Sequence, residues 1–126
     1  MIRFLIVCGS GALGCGLRYV ISMWAGERIG IAFPYGTLIV NVLGSFLMAL
    51  GMELSLLLVD FPPNLRLAIT TGLMGGLTTY AAFNYESTTL VLDGHALRGL
   101  ANIGITLVGC VAAGLLGLVL ARKLAG

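Results

Sequence analysis

Residues 70–89 read Thr70-Thr71-Gly72-Leu73-Met74-Gly75-Gly76-Leu77-Thr78-Thr79-Tyr80-Ala81-Ala82-Phe83-Asn84-Tyr85-Glu86-Ser87-Thr88-Thr89. They lie mostly within a charge-free gap of 19 residues between Arg66 and Glu86. A membrane-crossing helix needs about 20 apolar residues. The middle of this gap is nevertheless a poor helix. Gly75-Gly76 is followed by two threonines, and each glycine costs about 1 kcal/mol relative to alanine. Threonine also competes for backbone hydrogen bonds. The composition therefore favours a break at mid-membrane depth. Irregular backbone survives there only inside protein or beside water. The carbonyls it frees can coordinate a small cation. The competing reading is an unbroken helix whose Gly72 and Gly76 form a close-packing face.

Working outward, the other charge-free gaps are 29–52 (24 residues) and 99–121 (23 residues). Each is long enough to cross a bilayer. The first gap, 4–17, has only 14 residues, so a first span must carry Arg18 towards its end. Tyr19 and Trp24 suit an interfacial belt there. The expected fold is all-α, a single transmembrane domain over 1–126 with spans near 3–24, 33–59, 66–92 and 97–121. The connectors are Ala25–Ala32, Asp60–Leu65 around Phe61-Pro62-Pro63-Asn64, and Asp93–Leu97. The whole-chain arithmetic agrees: 126 residues, 59% hydrophobic and 10% charged, with 19 glycines. Soluble domains run at roughly 45–50% apolar and about 25% charged. An ordinary soluble enzyme, a disordered tail and a coiled coil are excluded. The net charge of +2 gives no reason to expect a nucleic-acid partner.

Residues 1–16 make a poor signal peptide. Gly9 and Gly11 interrupt a short apolar run, and no small-x-small cleavage site stands out. Cys8, Cys15 and Cys110 lie within apolar spans and lack the clustering of a metal or redox site. Four spans would put both termini and the second connector on one side. That side carries Arg3, Arg66, Arg122 and Lys123, against Arg18, Arg28 and Arg98 on the other. Four against three is almost no positive-inside bias. Such a chain can insert both ways and form an antiparallel dimer about a two-fold axis in the membrane plane, the relation that inverted repeats achieve within one chain.

Polar groups inside the spans need a reason. Asn41 sits within Leu38-Ile39-Val40-Asn41-Val42-Leu43, either as helix–helix glue or as a donor lining a polar passage. Asn102, Thr106 and Cys110 fall four residues apart on one slowly drifting stripe. Gly109, Ala113 and Gly117 lie near the same face, so that helix combines a polar track with a packing contact. Tyr80 and Phe83 share a face, and their partly positive ring edges can meet an anion. Glu53 and Glu86 lie near span ends, too shallow for an obvious proton relay. His95, the only histidine, sits in a short connector. No P-loop, metal-ligand cluster or nucleophile–base pair is visible, so no enzyme activity is expected.

Taken together, these features resemble the Fluc (CrcB) family of small bacterial fluoride channels. The likeness covers nearly the whole chain. It rests on Gly11-Ala12-Leu13-Gly14-Cys15-Gly16-Leu17-Arg18-Tyr19, on Pro34 to Phe46 with Asn41 at its centre, and on Gly72 to Phe83. The Gly-Gly-x-Thr-Thr-aromatic run with Asn41 upstream is specific in combination. The resemblance implies an antiparallel dual-topology homodimer in the bacterial inner membrane, with two pores that pass fluoride passively out of the cytoplasm. It implies a structural Na⁺ at the dimer centre, held by backbone carbonyls at Gly75 and Thr78. It carries the fluoride path onto Asn41, the Tyr80-Ala81-Ala82-Phe83 run, Asn102, Thr106 and Cys110; Arg18 matches the family's first-span arginine without a role fixed by the match, and the position of Glu86 suits either a vestibule residue or a satisfied interface charge.

The chain departs from the family's pattern in one place. That pattern has Phe, Ser and Thr where this chain has Tyr80, Ala81 and Ala82. Two hydroxyls are missing and one is gained on the ring. A small proton-coupled multidrug exporter is the nearest rival by size. It requires a carboxylate in the first span, and here none precedes Glu27. Arg18 would also repel a cationic drug. A non-transporting membrane assembly subunit would leave Asn41 and the Thr-rich run without a task.

Overall fold

A computed structural model describes residues 1–126 and is built from helices, without strands. The elements are α1 (Ile2–Arg28), α2 (Tyr35–Leu57), α3 (Pro63–Leu67), a π-helical segment (Ala68–Met74), α4 (Gly75–Leu77), α5 (Tyr80–Leu92) and α6 (Ala96–Ala125). Three of them, α1, α2 and α6, are long and apolar enough to cross a membrane. The region expected as the third span, 66–92, is assembled from α3, the π segment, α4 and α5 rather than from one regular helix.

Three element boundaries differ from expectation by three residues or more, among them the end of α6, which runs on to Ala125 past the expected 121. Helix α1 runs on to Arg28 and ends ahead of Gly30, whose φ of +123° is open to glycine and rare for other residues. Helix α3 starts at Pro63, inside the expected Asp60–Leu65 connector. Proline suits the first turn of a helix because its missing N–H would be unpaired there anyway, and Pro62 supplies the extended residue before it.

Helical backbone stops at Thr78 (φ −89°, ψ 155°) and Thr79 (φ −153°, ψ 123°), both extended. Each threonine has a local task. Thr78 closes the preceding turn, its hydroxyl donating to the Met74 carbonyl at 2.9 Å and its N–H to the same oxygen at 3.0 Å. Thr79 caps the next helix, its hydroxyl accepting from the Ala82 N–H at 3.2 Å.

Packing is by small residues. A Cβ on Gly76 would collide with the Gly11 carbonyl, and one on Gly14 with the Leu73 carbonyl, so α1 lies backbone to backbone against the π segment and α4. Helices α2 and α6 run side by side, where a Cβ on Gly117 would come within 2.5 Å of the Phe46 carbonyl. Only 19 of the 126 residues are buried, which leaves long apolar side chains such as Leu13, Val108 and Leu116 on the outer surface. A surface of that kind suits lipid or another membrane protein, not water. The small core of Val40, Met74 and Leu77 lies directly beneath the interruption.

Candidate functional site

The interruption at Thr78–Thr79 is gripped from two sides. From α2, the Asn41 amide donates through Nδ2 to the Thr79 carbonyl at 3.0 Å and accepts at Oδ1 from the Thr79 N–H at 2.8 Å. One side chain thus pairs with both polar groups of an extended residue, as a neighbouring β-strand would. From α1, Arg18 Nε donates to the Gly76 carbonyl at 3.1 Å. A charged donor inside a membrane-length helix is costly unless it has a named partner, and Gly76 is that partner.

Against the Asn41 side lies a cavity of about 300 Å³. Asn41, Ser45, Tyr80, Phe83, Thr106 and Cys110 line it, together with both threonines of the interruption. Tyr80 and Phe83 meet edge to face, with ring centroids 5.7 Å apart. One turn along α6, buried Asn102 donates to the Ser87 hydroxyl at 2.8 Å and accepts from the Thr106 hydroxyl at 3.3 Å. A second cavity, of about 350 Å³, opens between the 29–34 connector, the start of α2 and α5, with Ser22, Tyr35, Thr37, Tyr85 and Glu86 on its walls. There Thr37 donates to one Glu86 oxygen at 2.8 Å, and the other oxygen is buried without a partner.

Of the residues expected on a fluoride path, Asn41, Tyr80, Phe83, Thr106 and Cys110 surround the first cavity. Asn102 stands behind it and holds Thr106. Ala81 and Ala82 do not line it; Ala81 faces outward and Ala82 contributes its backbone N–H to the Thr79 cap. Glu86 belongs to the second cavity, and Arg18 is on the far side of the interruption. The sequence reading missed Thr37, Ser45, Thr79 and Ser87 as neighbours of these groups. A threonine directly before a helical run is an N-cap signal, so Thr79 was open to detection. The other three come beside these groups only through tertiary packing.

No three or more His, Cys, Asp or Glu side chains come together. The hard donors at the interruption are backbone carbonyls. Gly75 is exposed and bears no side chain to cover its carbonyl, and Thr78 is extended. Neutral oxygens of this kind suit a hard cation and not a thiophilic metal.

Comparison with known proteins gives a consistent result. Residues 5–118 match the family model described as CrcB-like protein, Camphor Resistance (CrcB). A protein of Anaeromyxobacter dehalogenans named Fluoride-specific ion channel FluC is 49% identical over the full length of both chains. A protein of the same name from Sorangium cellulosum is 50% identical over 90% of each chain. Another, from Geobacter metallireducens, is 41% identical over 98% of this chain and 100% of its own.

Proposed function

The chain belongs to the CrcB-like family, and from that premise we propose that it is a fluoride-selective channel which lets F⁻ leave a bacterial cytoplasm down its electrochemical gradient. The observation that carries the reading is the convergence of Asn41, Tyr80, Phe83, Thr106 and Cys110 on one cavity beside interrupted backbone. Fluoride is small and strongly hydrated, so it leaves water only where donors replace its hydration shell. The Asn41 amide has a second N–H beyond the one given to Thr79. The Ser45 hydroxyl and the positive edges of two rings add further contacts, while the Thr106 hydroxyl donates to Asn102. A passage that strips the ion of water and offers such donors in its place favours fluoride over the larger chloride.

The full architecture follows the same reading. The single domain over residues 1–126 spans the inner membrane four times, its third span broken at Thr78–Thr79. Two copies pair in opposite orientations with two pores between them. The balance of positive charge across the two sides supports dual insertion. The Gly75 and Thr78 carbonyls would hold a structural Na⁺ where the copies meet, which supplies a fixed positive charge that offsets the cost of an anion in low dielectric. Glu86 serves as a vestibule residue at the second cavity, Arg18 holds the Gly76 carbonyl beside the break, and Asn102 acts from behind Thr106.

The test is efflux from liposomes containing the purified protein, followed with fluoride and chloride electrodes side by side. Fast fluoride release with chloride retained is the expected result. If the chain releases neither ion, and the double substitution Ala81→Ser with Ala82→Thr is also silent, the channel reading fails.

A further inference from the structure

We propose that the Tyr80 hydroxyl is a fluoride-binding group in the pore, the strongest neutral donor that this chain presents to the ion. The inference rests on the channel reading above. It comes from asking which donors around the 300 Å³ cavity remain free for a ligand. Asn41 gives one N–H and its oxygen to Thr79. The Thr106 hydroxyl donates to Asn102, and the Thr78 hydroxyl to Met74. Cys110 offers only a weak S–H. Three hydroxyls keep their hydrogens: Ser45, Thr79 and Tyr80. The bonds around the cavity run between Asn41, Thr79, Ala82, Ser87, Asn102 and Thr106, and none of them uses the Tyr80 phenol.

Acidity separates the three. A phenol has a pKa near 10, far more acidic than the aliphatic alcohols of serine and threonine. It is therefore the better donor to a hard anion, and hydrogen bonds to charged acceptors are about twice as strong as neutral ones. Position agrees with chemistry. Tyr80 opens α5, next to the midpoint of the proposed third span, and 76% of the residue is exposed in the single chain. A hydroxyl at that depth finds no partner in lipid. It must face water, an ion or another protein. The Phe83 ring meets the ring of Tyr80 edge to face at the cavity wall. The next two residues are alanines, so no neighbouring side chain on this turn competes for the ion.

The experiment compares the wild-type chain with Tyr80→Phe, which keeps the ring and removes only the oxygen. Two quantities are read: fluoride efflux from liposomes, and the rise in Tm of the detergent-purified protein when sodium fluoride replaces sodium chloride. Tyr80→Phe is expected to elute as the wild type does. Its fluoride efflux should be about tenfold slower or more, the loss expected for one hydrogen bond to a charged ion. Its fluoride-dependent rise in Tm should shrink. Tyr80→Met, which loses ring and hydroxyl together, should be slower still. Unchanged efflux in Tyr80→Phe overturns the proposal. So does slower efflux with an undiminished fluoride-dependent rise in Tm, because the hydroxyl then acts through the fold. A Tyr80→Phe protein that no longer purifies as a folded species also overturns it. Silence of the wild type is a separate outcome, which removes the channel reading and this inference with it.

Discussion

Asn41 and Thr79, 38 residues apart in sequence, are joined by two hydrogen bonds of 3.0 and 2.8 Å that exhaust the backbone polarity of Thr79. The asparagine is buried, and it fixes the point at which helical backbone stops and α5 begins. Its amide thus has two tasks at once. It completes the interruption, and its remaining N–H is available at the wall of the cavity.

Asn41→Asp tests both tasks. The substitution replaces the Nδ2 donor by an oxygen facing the Thr79 carbonyl oxygen. A buried carbonyl left without its partner costs about 1–3 kcal/mol. The expected outcome is a lower Tm and loss of fluoride efflux, with the protein still inserted in the membrane. Normal efflux in this variant would remove Asn41 from the pathway.

Thr106→Val separates flux from stability. The hydroxyl bond to Asn102 is long, at 3.3 Å, and valine keeps the shape of the side chain. The loss of stability should stay near about 1 kcal/mol. Fluoride efflux should fall clearly more than Tm does, because valine puts a methyl in place of a polar group on the cavity wall. Efflux and thermal denaturation measured on the same preparation check this.

Asn102→Leu should show the opposite balance. Asn102 is 1% exposed, and its amide is the partner of the equally buried Ser87 hydroxyl. Removing it strands that hydroxyl in an apolar setting, at a cost of about 1–3 kcal/mol. Replacing Ser87 by alanine in the same chain should recover part of the loss, a coupling that a double-mutant cycle measures.

Gly76→Ala should destabilise strongly. The added methyl would enter the Gly11 carbonyl, which is backbone and cannot rotate away. Overpacking of this kind costs about 1–3 kcal/mol. Gly104→Ala is the control, since a Cβ there meets nothing within the chain. Thermal denaturation in detergent should rank Gly76→Ala well below Gly104→Ala.

Arg122→Ala should do little. Its bond to Glu53 is 2.9 Å long, but the arginine side chain is 69% exposed. Exposed ion pairs contribute about 0–1 kcal/mol. Tm and efflux should both stay close to those of the unsubstituted chain.

Much of the helical layout was legible because charge is so sparse. Apolar runs between Arg28 and Glu53, and between Arg98 and Arg122, can only be long buried or lipid-facing helices, and α2 and α6 cover them. Gly75-Gly76 and Thr78-Thr79 are weak helix formers, and the extended residues fall at the threonines. Helix ends were harder to read. Pro63 looks like a breaker in a string of letters but acts as a starter, because its ring fits a first turn.

The partners of the polar groups were not legible at all. Nothing local to Arg18 names Gly76, and nothing local to Thr37 names Glu86. Each pair is made by helices that meet only after packing. Asn41 stood out as a costly amide in an apolar run, yet its role as a partner for Thr79 depends on the register between α2 and the interruption. That register is set by close contacts such as the one between Gly44 and the Thr78 methyl.

The π-helical turn over Ala68–Met74 makes chain length itself a constraint. Such a turn accommodates one residue more than an α-helix would in the same rise. Deleting one residue there would let it relax to ordinary α-helix, while everything downstream rotated by about 100°. Thr79 would swing away from Asn41, and Gly76 away from Gly11 and Arg18, with no side chain in the polar network having been altered. At an exposed position such as Thr71 this stretch therefore accepts an exchange of side chain far more readily than the gain or loss of a single codon.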